Sequence, residues 1–322
     1  MKNVRQISQA VPNRCIMDAV DDTLTDPVTA PAVTLQDLLG LLDLERLGST
    51  DRTVTWRGQP QAHPEDRMFG GLLLAQALVA AGRTAPTTQR AISLQADFLE
   101  GAPTDRPMTW RVDLLTDANS LSTRRSTLVA DDGAELFTAT TRWATTREDL
   151  PSFSAVAPAD VPGPEALAEL AERYPDDPRI PSWWRIRRPV HFRHVEPPPY
   201  VAPEPTTDRQ TAHVRSTDPL PEDPVLRAGV AAYVTDMSLL EPAFRALGAA
   251  RHAPGSRILS LTHGLTFHRE PDLSTWHQFD SRVGAVAHGR AYGVGELFDD
   301  RGRHVLTATQ LGLVKTVSTP TQ

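Results

Sequence analysis

The sequence predicts an α+β protein in which one structural unit occurs twice. Three observations carry that expectation. Two segments, Phe69–Gly82 (FGGLLLAQALVAAG) and Pro224–Leu240, are apolar almost all round a helical wheel, so each belongs inside a core. Each is followed by four runs with strand-like character. Short motifs also recur at a nearly fixed separation: Ser93-Leu94 as Ser260-Leu261, 167 residues on; Arg124 as Arg290, 166 on; and GAELFTAT at 133–140 as GRHVLTAT at 302–309, 169 on. An antiparallel sheet that curls around a single helix buries it on nearly every side. This is the hot-dog arrangement, and two in tandem make a double hot dog.

Taken in order, residues 1–34 show little periodicity and form an N-terminal extension. The first unit spans 35–150. It opens with an amphipathic helix over Leu35–Leu47, where apolar residues fall three and four apart with Asp37, Asp43, Glu45 and Arg46 on the other side. A short strand follows at Thr53–Arg57, then the first buried helix. Strands are predicted at Ala91–Leu99, Met108–Leu115, Ser120–Ala130 and Glu135–Ala144, the last two joined by the Asp131-Asp132-Gly133 turn. Pro151 to Pro205 holds 13 of the 28 prolines, with a charged helix predicted at Pro164–Arg173, so 151–189 reads as a connector. The second unit, 190–316, has strands at His191–Arg193 and Gln210–Ser216. A helix follows from Asp223 to Leu247, with Asp223 as cap and Pro224 as first helical residue. Strands near Ile258–His268, Trp276–Val283, Arg290–Phe298 and His304–Val314 complete it, and 317–322 is a tail.

Composition narrows the function classes. Hydrophobic residues make up 40% and charged residues 23%, as in ordinary globular domains. A formal charge of −7 argues against nucleic acid as a partner. Cys15 is the only cysteine, which excludes an intrachain disulfide and a thiolate metal cluster. No secretory signal, membrane span or retention tail is legible, so the expectation is a cytoplasmic chain without membrane insertion. Walker, HExxH, GxGxxG-after-strand and G-x-S-x-G patterns are missing from the sequence.

The candidate chemistry lies where the two copies differ. Asp236 interrupts the second oily helix, with Ala232, Tyr233, Leu239 and Leu240 as its helical neighbours, and a charge there needs a partner. A buried ion pair is the alternative to a functional role. Gln310 stands where the first copy has Thr141, on the strand face of Leu306, Ala308 and Val314. With the Ser260 hydroxyl these two form a carboxylate–amide–hydroxyl set able to orient one water and take its proton. Simple alternation, however, turns Ser260 away from the core unless a bulge intervenes. Gly70-Gly71 lets the backbone of the first helix approach a ligand or a strand. Arg124, Arg125 and Arg290 could grip the phosphates of a carrier, or could be ordinary edge-strand charges. His263 and His268, five apart, fall on opposite strand faces and do not share a metal; His63 reads as a structural or solvated loop residue.

Several segments resemble the type II (TesB-like) acyl-CoA thioesterase family: LLDLERLG near Leu41, RMFGGLLLAQAL at Arg67–Leu78, NSLSTRR at Asn119–Arg125, VTDMSLLEP at Val234–Pro242, FHREPDLSTW at Phe267–Trp276 and TATQLGLVK at Thr307–Lys315. They occur in family order over roughly residues 35 to 316. The resemblance implies a double hot-dog enzyme that hydrolyses acyl-CoA to fatty acid and CoA without metal or cofactor. It also implies a catalytic Asp, Thr and Gln at Asp236, Ser260 and Gln310, with Ser260 in place of the threonine. Thr262 stands where the family carries an acidic residue, and Ala118 where it carries glycine. A backbone N–H near Gly70-Gly71 would polarise the thioester carbonyl. Two rivals are a hot-dog hydratase or dehydratase, whose D-x-N-P-x-H run is met only by Asp117-Ala118-Asn119-Ser120, and a non-catalytic acyl-CoA-binding protein. Exposed sheet edges leave a homo-oligomer open.

Overall fold

The computed structural model describes residues 34–61, 67–201, 207–251, 253 and 255–316. The expected extension up to residue 33, Cys15, His63 and the 317–322 tail lie outside the described residues. Helix α1 (Leu35–Leu42) begins at Thr34, whose hydroxyl accepts from the Asp37 amide while the Asp37 carboxylate accepts from the Thr34 amide. It is shorter than the apolar spacing predicts. The chain leaves the helix at Asp43 and continues as strand β1 (Glu45–Ser49), which pairs with β2 (Thr53–Gly58). Ladder hydrogen bonds to a neighbouring strand override the local helical pattern there.

The remainder of the first copy is α2 (Gly70–Gly82), β3 (Gln89–Phe98), β4 (Met108–Asp117), β5 (Leu121–Val129) and β6 (Glu135–Thr145). From Gly71 to Gly82 every residue of α2 is buried, as an all-round apolar helix requires. Its one polar side chain, Gln76, is fully satisfied: Nε2 donates to the Leu41 and Gln59 carbonyls, and Oε1 accepts from Trp110 Nε1 at 2.9 Å. In the connector, the single helix predicted at Pro164–Arg173 is two short pieces, a 3-10 turn at Pro164–Ala166 and α3 (Leu170–Arg173). Glu169 separates them in extended conformation and starts its own capping box with Glu172. One turn of helix, α4 (Ser182–Arg185), precedes the second copy: β7 (Val190–His194), β8 (Arg209–Ser216), α5 (Pro224–Thr235), α6 (Glu241–Leu247), β9 (Arg257–Phe267), β10 (His277–Ala287), β11 (Arg290–Phe298) and β12 (His304–Lys315).

All twelve strands form one antiparallel sheet in the order β1-β2-β4-β5-β6-β3-β9-β12-β11-β10-β8-β7. The seam between copies is β3 against β9, from Ser93 opposite Thr266 to Asp97 opposite Thr262. Helices α2 and α5 pack against each other inside the curl, so each helix is covered partly by its sheet and partly by its twin. The fold is the double hot dog that the sequence predicts.

Ladder register fixes the repeat more sharply than motif matching does. The bulge in β3 between Ala91 and Ser93 answers the one in β9 between Ser260 and Thr262. The irregularities after Leu114 and Leu128 answer those after Val283 and Leu297, and the positive-φ turn glycine Gly133 answers Gly302. Each pair is 169 residues apart. Ser260 therefore corresponds to Ala91 and not to Ser93. Arg124 corresponds to Gly293, and Arg290 to Leu121. The motif matches at 167 and 166 were coincidences of composition.

Candidate active site

The sequence predicts a helix running through Asp236 to Leu247. In the structure α5 stops at Thr235, and Asp236 is its C-cap with φ −84° and ψ −4°. A new helix, α6, starts five residues later with Pro242 in its first turn. A proline there has no N–H to give to the carbonyl four residues back, so α5 cannot run on unbroken. The intervening segment settles on strands stripped of side chains. A Cβ on Gly293 would come within 2.6 Å of the Leu239 carbonyl, one on Gly295 within 2.7 Å of Leu239 and Phe279, and one on Gly312 within 2.4 Å of Leu240.

This break sets the electrostatics of Asp236. A carboxylate at the C-terminal end of a helix meets the negative pole of the macrodipole, an unfavourable position. Here the N-terminus of α2 faces it from the other copy. A Cβ placed on Gly70 would lie 2.6 Å from Asp236 Oδ2, so the carboxylate rests against the first residue of α2, at its positive end. The Asp236 side chain is 5% exposed, and no arginine or lysine pairs with it among the described residues.

Ser260 and Gln310 join it. The β9 bulge at Leu261 places two residues opposite Leu311, which shifts the alternation and brings Ser260 onto the same face as Gln310. Gln310 Nε2 lies 2.7 Å from Asp236 Oδ1 and 2.7 Å from Ser260 Oγ; Ser260 Oγ donates to Asp236 Oδ1 at 3.3 Å. Side chains from β9 and β12 thus converge on one carboxylate oxygen at the end of α5. The arrangement combines a proton acceptor with a hydroxyl and an amide that can fix a small polar molecule beside it.

A fourth group was missed. His263 is buried beside the trio, with Nδ1 3.7 Å from Asp236 Oδ1 and Nε2 3.0 Å from Thr235 Oγ1. Its counterpart in the first copy, at the 169-residue offset, is Leu94. At either offset the first copy has an apolar residue there, Leu94 or Ala96, so a repeat comparison extended to His263 would have exposed the difference. His268, beyond the end of β9, is exposed and bonded to Thr307.

The arginines lie elsewhere. Arg124 is turned inward and 2% exposed; its guanidinium donates to Asp117 Oδ1 at 2.6 Å, to the Thr84 hydroxyl and to the carbonyls of Thr84, Thr116 and Thr123. Such a group holds β4, β5 and the end of α2 together and has no donors left for a phosphate. Arg125 pairs with Asp113 on the surface. Arg290 is exposed opposite Leu313, on the outer sheet face, away from Gln310. Gly71 serves the helix pair: a Cβ there would meet the Tyr233 carbonyl at 2.5 Å.

The equivalent location in the first copy is closed. Arg83 caps α2 where Asp236 caps α5, and it pairs with Asp223 at 2.7 Å. Thr141 takes the place of Gln310 and accepts from Trp143 Nε1 at 2.9 Å, while the bulky Trp143 stands at the position of Gly312, which in the second copy makes room for Leu240. Among the described residues no group of three or more His, Cys, Asp or Glu side chains is arranged to hold a metal ion, and no helix is long and apolar enough to cross a membrane.

Comparison with known proteins points the same way as the duplicated architecture. The family model of the acyl-CoA thioesterase N-terminal domain matches residues 59–144, and that of the C-terminal domain matches residues 159–314. An acyl-CoA thioesterase 2 from Haemophilus influenzae is 23% identical over 291 residues, covering 87% of this chain and 98% of the relative. The solved structure of a TesB protein from Mycobacterium avium subsp. paratuberculosis superposes with a TM-score of 0.72 at 27% identity, over 88% of this chain and 100% of the other. A hot-dog protein of unknown function from Alicyclobacillus acidocaldarius matches at TM-score 0.69 and 20% identity over 87% and 98%, a likeness of fold. With both domain models matched in order across the two copies, the chain belongs to the type II, TesB-like acyl-CoA thioesterase family.

Proposed function

We propose that the protein is an acyl-CoA thioesterase in which Asp236, Ser260 and Gln310 activate one water molecule. The observation that carries this reading is the convergence of Ser260 and Gln310 on Asp236 Oδ1 in the second copy, with the first copy's counterparts, Arg83, Ala91 and Thr141, unable to do the same. Asp236 takes a proton from the water as its oxygen attacks the thioester carbonyl carbon. Ser260 and Gln310 hold the water's remaining hydrogen-bonding positions and so fix its approach. The first N–H groups of α2, at Gly70 and Gly71, face the charge that develops on the carbonyl oxygen. Collapse of the tetrahedral intermediate breaks the C–S bond. Fatty acid leaves, and the proton on Asp236 passes to the departing sulfur to give free CoA. The same proposal places the enzyme in the cytoplasm, where acyl-CoA is its partner, and includes self-association through an exposed sheet edge, tested by light scattering.

The test is release of free thiol from a panel of acyl-CoA esters of increasing chain length, with Asp236→Asn as control. The reading expects turnover with at least one ester and a loss of about 10²–10⁴-fold in the variant, the range for removing a general base. Near-normal turnover by Asp236→Asn would remove Asp236 from the chemistry. Hydration of crotonyl-CoA without thiol release would favour a hydratase, and tight acyl-CoA binding without either reaction a binding protein.

A further inference from the structure

We propose that His263 works through Asp236, sharing at its Nδ1 the proton that Asp236 takes from water; this rests on the hydrolase reading above. The hydrogen-bond inventory points to a proton on Nε2. The Thr235 hydroxyl has one hydrogen, and it goes to the Ala232 carbonyl at 2.8 Å. Thr235 Oγ1 can therefore only accept from His263 Nε2, 3.0 Å away, so Nε2 carries a proton. The other nitrogen, Nδ1, is buried and makes no hydrogen bond. It faces Asp236 Oδ1 at 3.7 Å. That separation is too long for a charge-assisted N–H···O bond, which runs about 2.7–2.9 Å, so no hydrogen bond joins the two groups in this state.

On this proposal Nδ1 presents a lone pair toward Asp236 Oδ1 inside a buried site and so can accept the proton that the carboxylate takes up. When Asp236 removes a proton from water, the acid it becomes can close on Nδ1. The proton then lies between a carboxylate and an imidazole, the stronger base of the two in water. No atom is consumed: the proton returns through Asp236 to the leaving sulfur, and His263 is again singly protonated at Nε2. Nothing else on the neighbouring elements competes for this role. The pairing strands place Gln310 and Ala96 beside His263, neither titratable, and α5 contributes Thr235 and Asp236. Asp97, next along β3, is exposed on the outer face.

The discriminating variant is His263→Gln, which keeps a donor for Thr235 but cannot take up a proton. Steady-state thiol release is expected to show KM unchanged and kcat lower by about 10–100-fold. Wild-type kcat would overturn the proposal, leaving His263 a packing residue. A second measurement needs no turnover. Nitrogen-15 NMR of the full chain labelled in histidine should show His263 as the Nε2–H tautomer with Nδ1 bare. A proton on Nδ1 also overturns the proposal. Wild-type enzyme that releases no thiol counts against the hydrolase reading, and the NMR experiment then decides the Asp236–His263 pairing by itself.

Discussion

Replacing Gly70 by alanine isolates the contact between the two copies on which the site depends. The added methyl would stand 2.6 Å from Asp236 Oδ2 and 3.0 Å from the Phe98 ring. Ordinary contact begins near 3.5 Å, so the carboxylate must retreat by about 0.9 Å or rotate. The retreat pulls Oδ1 away from Gln310 Nε2, now at 2.7 Å, and from Ser260 Oγ, already at 3.3 Å. A displacement of about 1 Å in a positioned group costs on the order of 10² in rate. Alanine is a good helix former and Gly70 opens a helix, so the backbone gains what glycine lacks. The expected outcome is kcat lowered by about 30–100-fold with a melting temperature within a few degrees of wild type. Gly71→Ala supplies the contrast, because its methyl meets the backbone carbonyl of Tyr233 at 2.5 Å and the Phe69 ring at 2.4 Å. Backbone on a packed helix gives way less readily than a side chain, so that variant should lose about 1–3 kcal/mol of stability in urea unfolding. Full activity in Gly70→Ala would refute the reasoning that α2 holds the Asp236 carboxylate in place.

Further variants separate chemistry from architecture. Ser260→Ala should reduce thiol release by about tenfold or more through loss of the orienting hydroxyl, whereas Ser260→Thr, which keeps it, should stay within a few-fold of wild type. Arg124→Met removes a buried guanidinium that ties β4, β5 and α2 together, and urea unfolding should show a loss of about 2–4 kcal/mol; a raised KM for acyl-CoA with unchanged stability would instead make Arg124 a phosphate ligand. Glu241, fully buried in α6, sets a pH window for stability. Burial pushes its carboxyl up, but His194 at 3.5 Å, Arg251 at 2.6 Å and the Tyr200 hydroxyl outweigh it and hold it at about 2. A depressed carboxyl contributes stability fully above its ordinary value of 4.5 and loses it as pH falls toward about 2. Glu241→Gln should therefore be less stable at neutral pH and flatten the decline in melting temperature between those values.

Much of the fold was legible because burial writes itself into side-chain pattern. An all-round apolar helix followed by alternating strands, occurring twice, left few arrangements open, and residues such as Leu72–Ala81 and Val230–Val234 are as buried as their composition demands. The three candidate residues were reachable on the same basis. Gln310 appeared as an amide on an apolar face, and Asp236 as a charge without helical partners. The errors came where backbone pairing overrode side-chain pattern. Glu45–Leu47 reads as helix, yet the edge of β2 takes it as a strand. Ser260 reads as outward-facing, yet one extra residue at Leu261 turns it inward. Arg124 and Arg290 looked like a matched pair, and the ladder register separates them.

The amino-acid order by itself determined which segments must be buried, that the unit is doubled, and that only the second copy's oily helix carries a carboxylate, Asp236. It could not determine that the C-terminal end of α5 meets the N-terminal end of α2, because that contact joins residues more than 160 positions apart through two glycine-sized gaps. Nor could it reveal the 3.7 Å approach of His263 to Asp236, which depends on one bulge and one proline-started helix. Periodicity records the environment of each residue along its own element, whereas the register between strands and the abutment of helix ends are set by the packing of the whole chain.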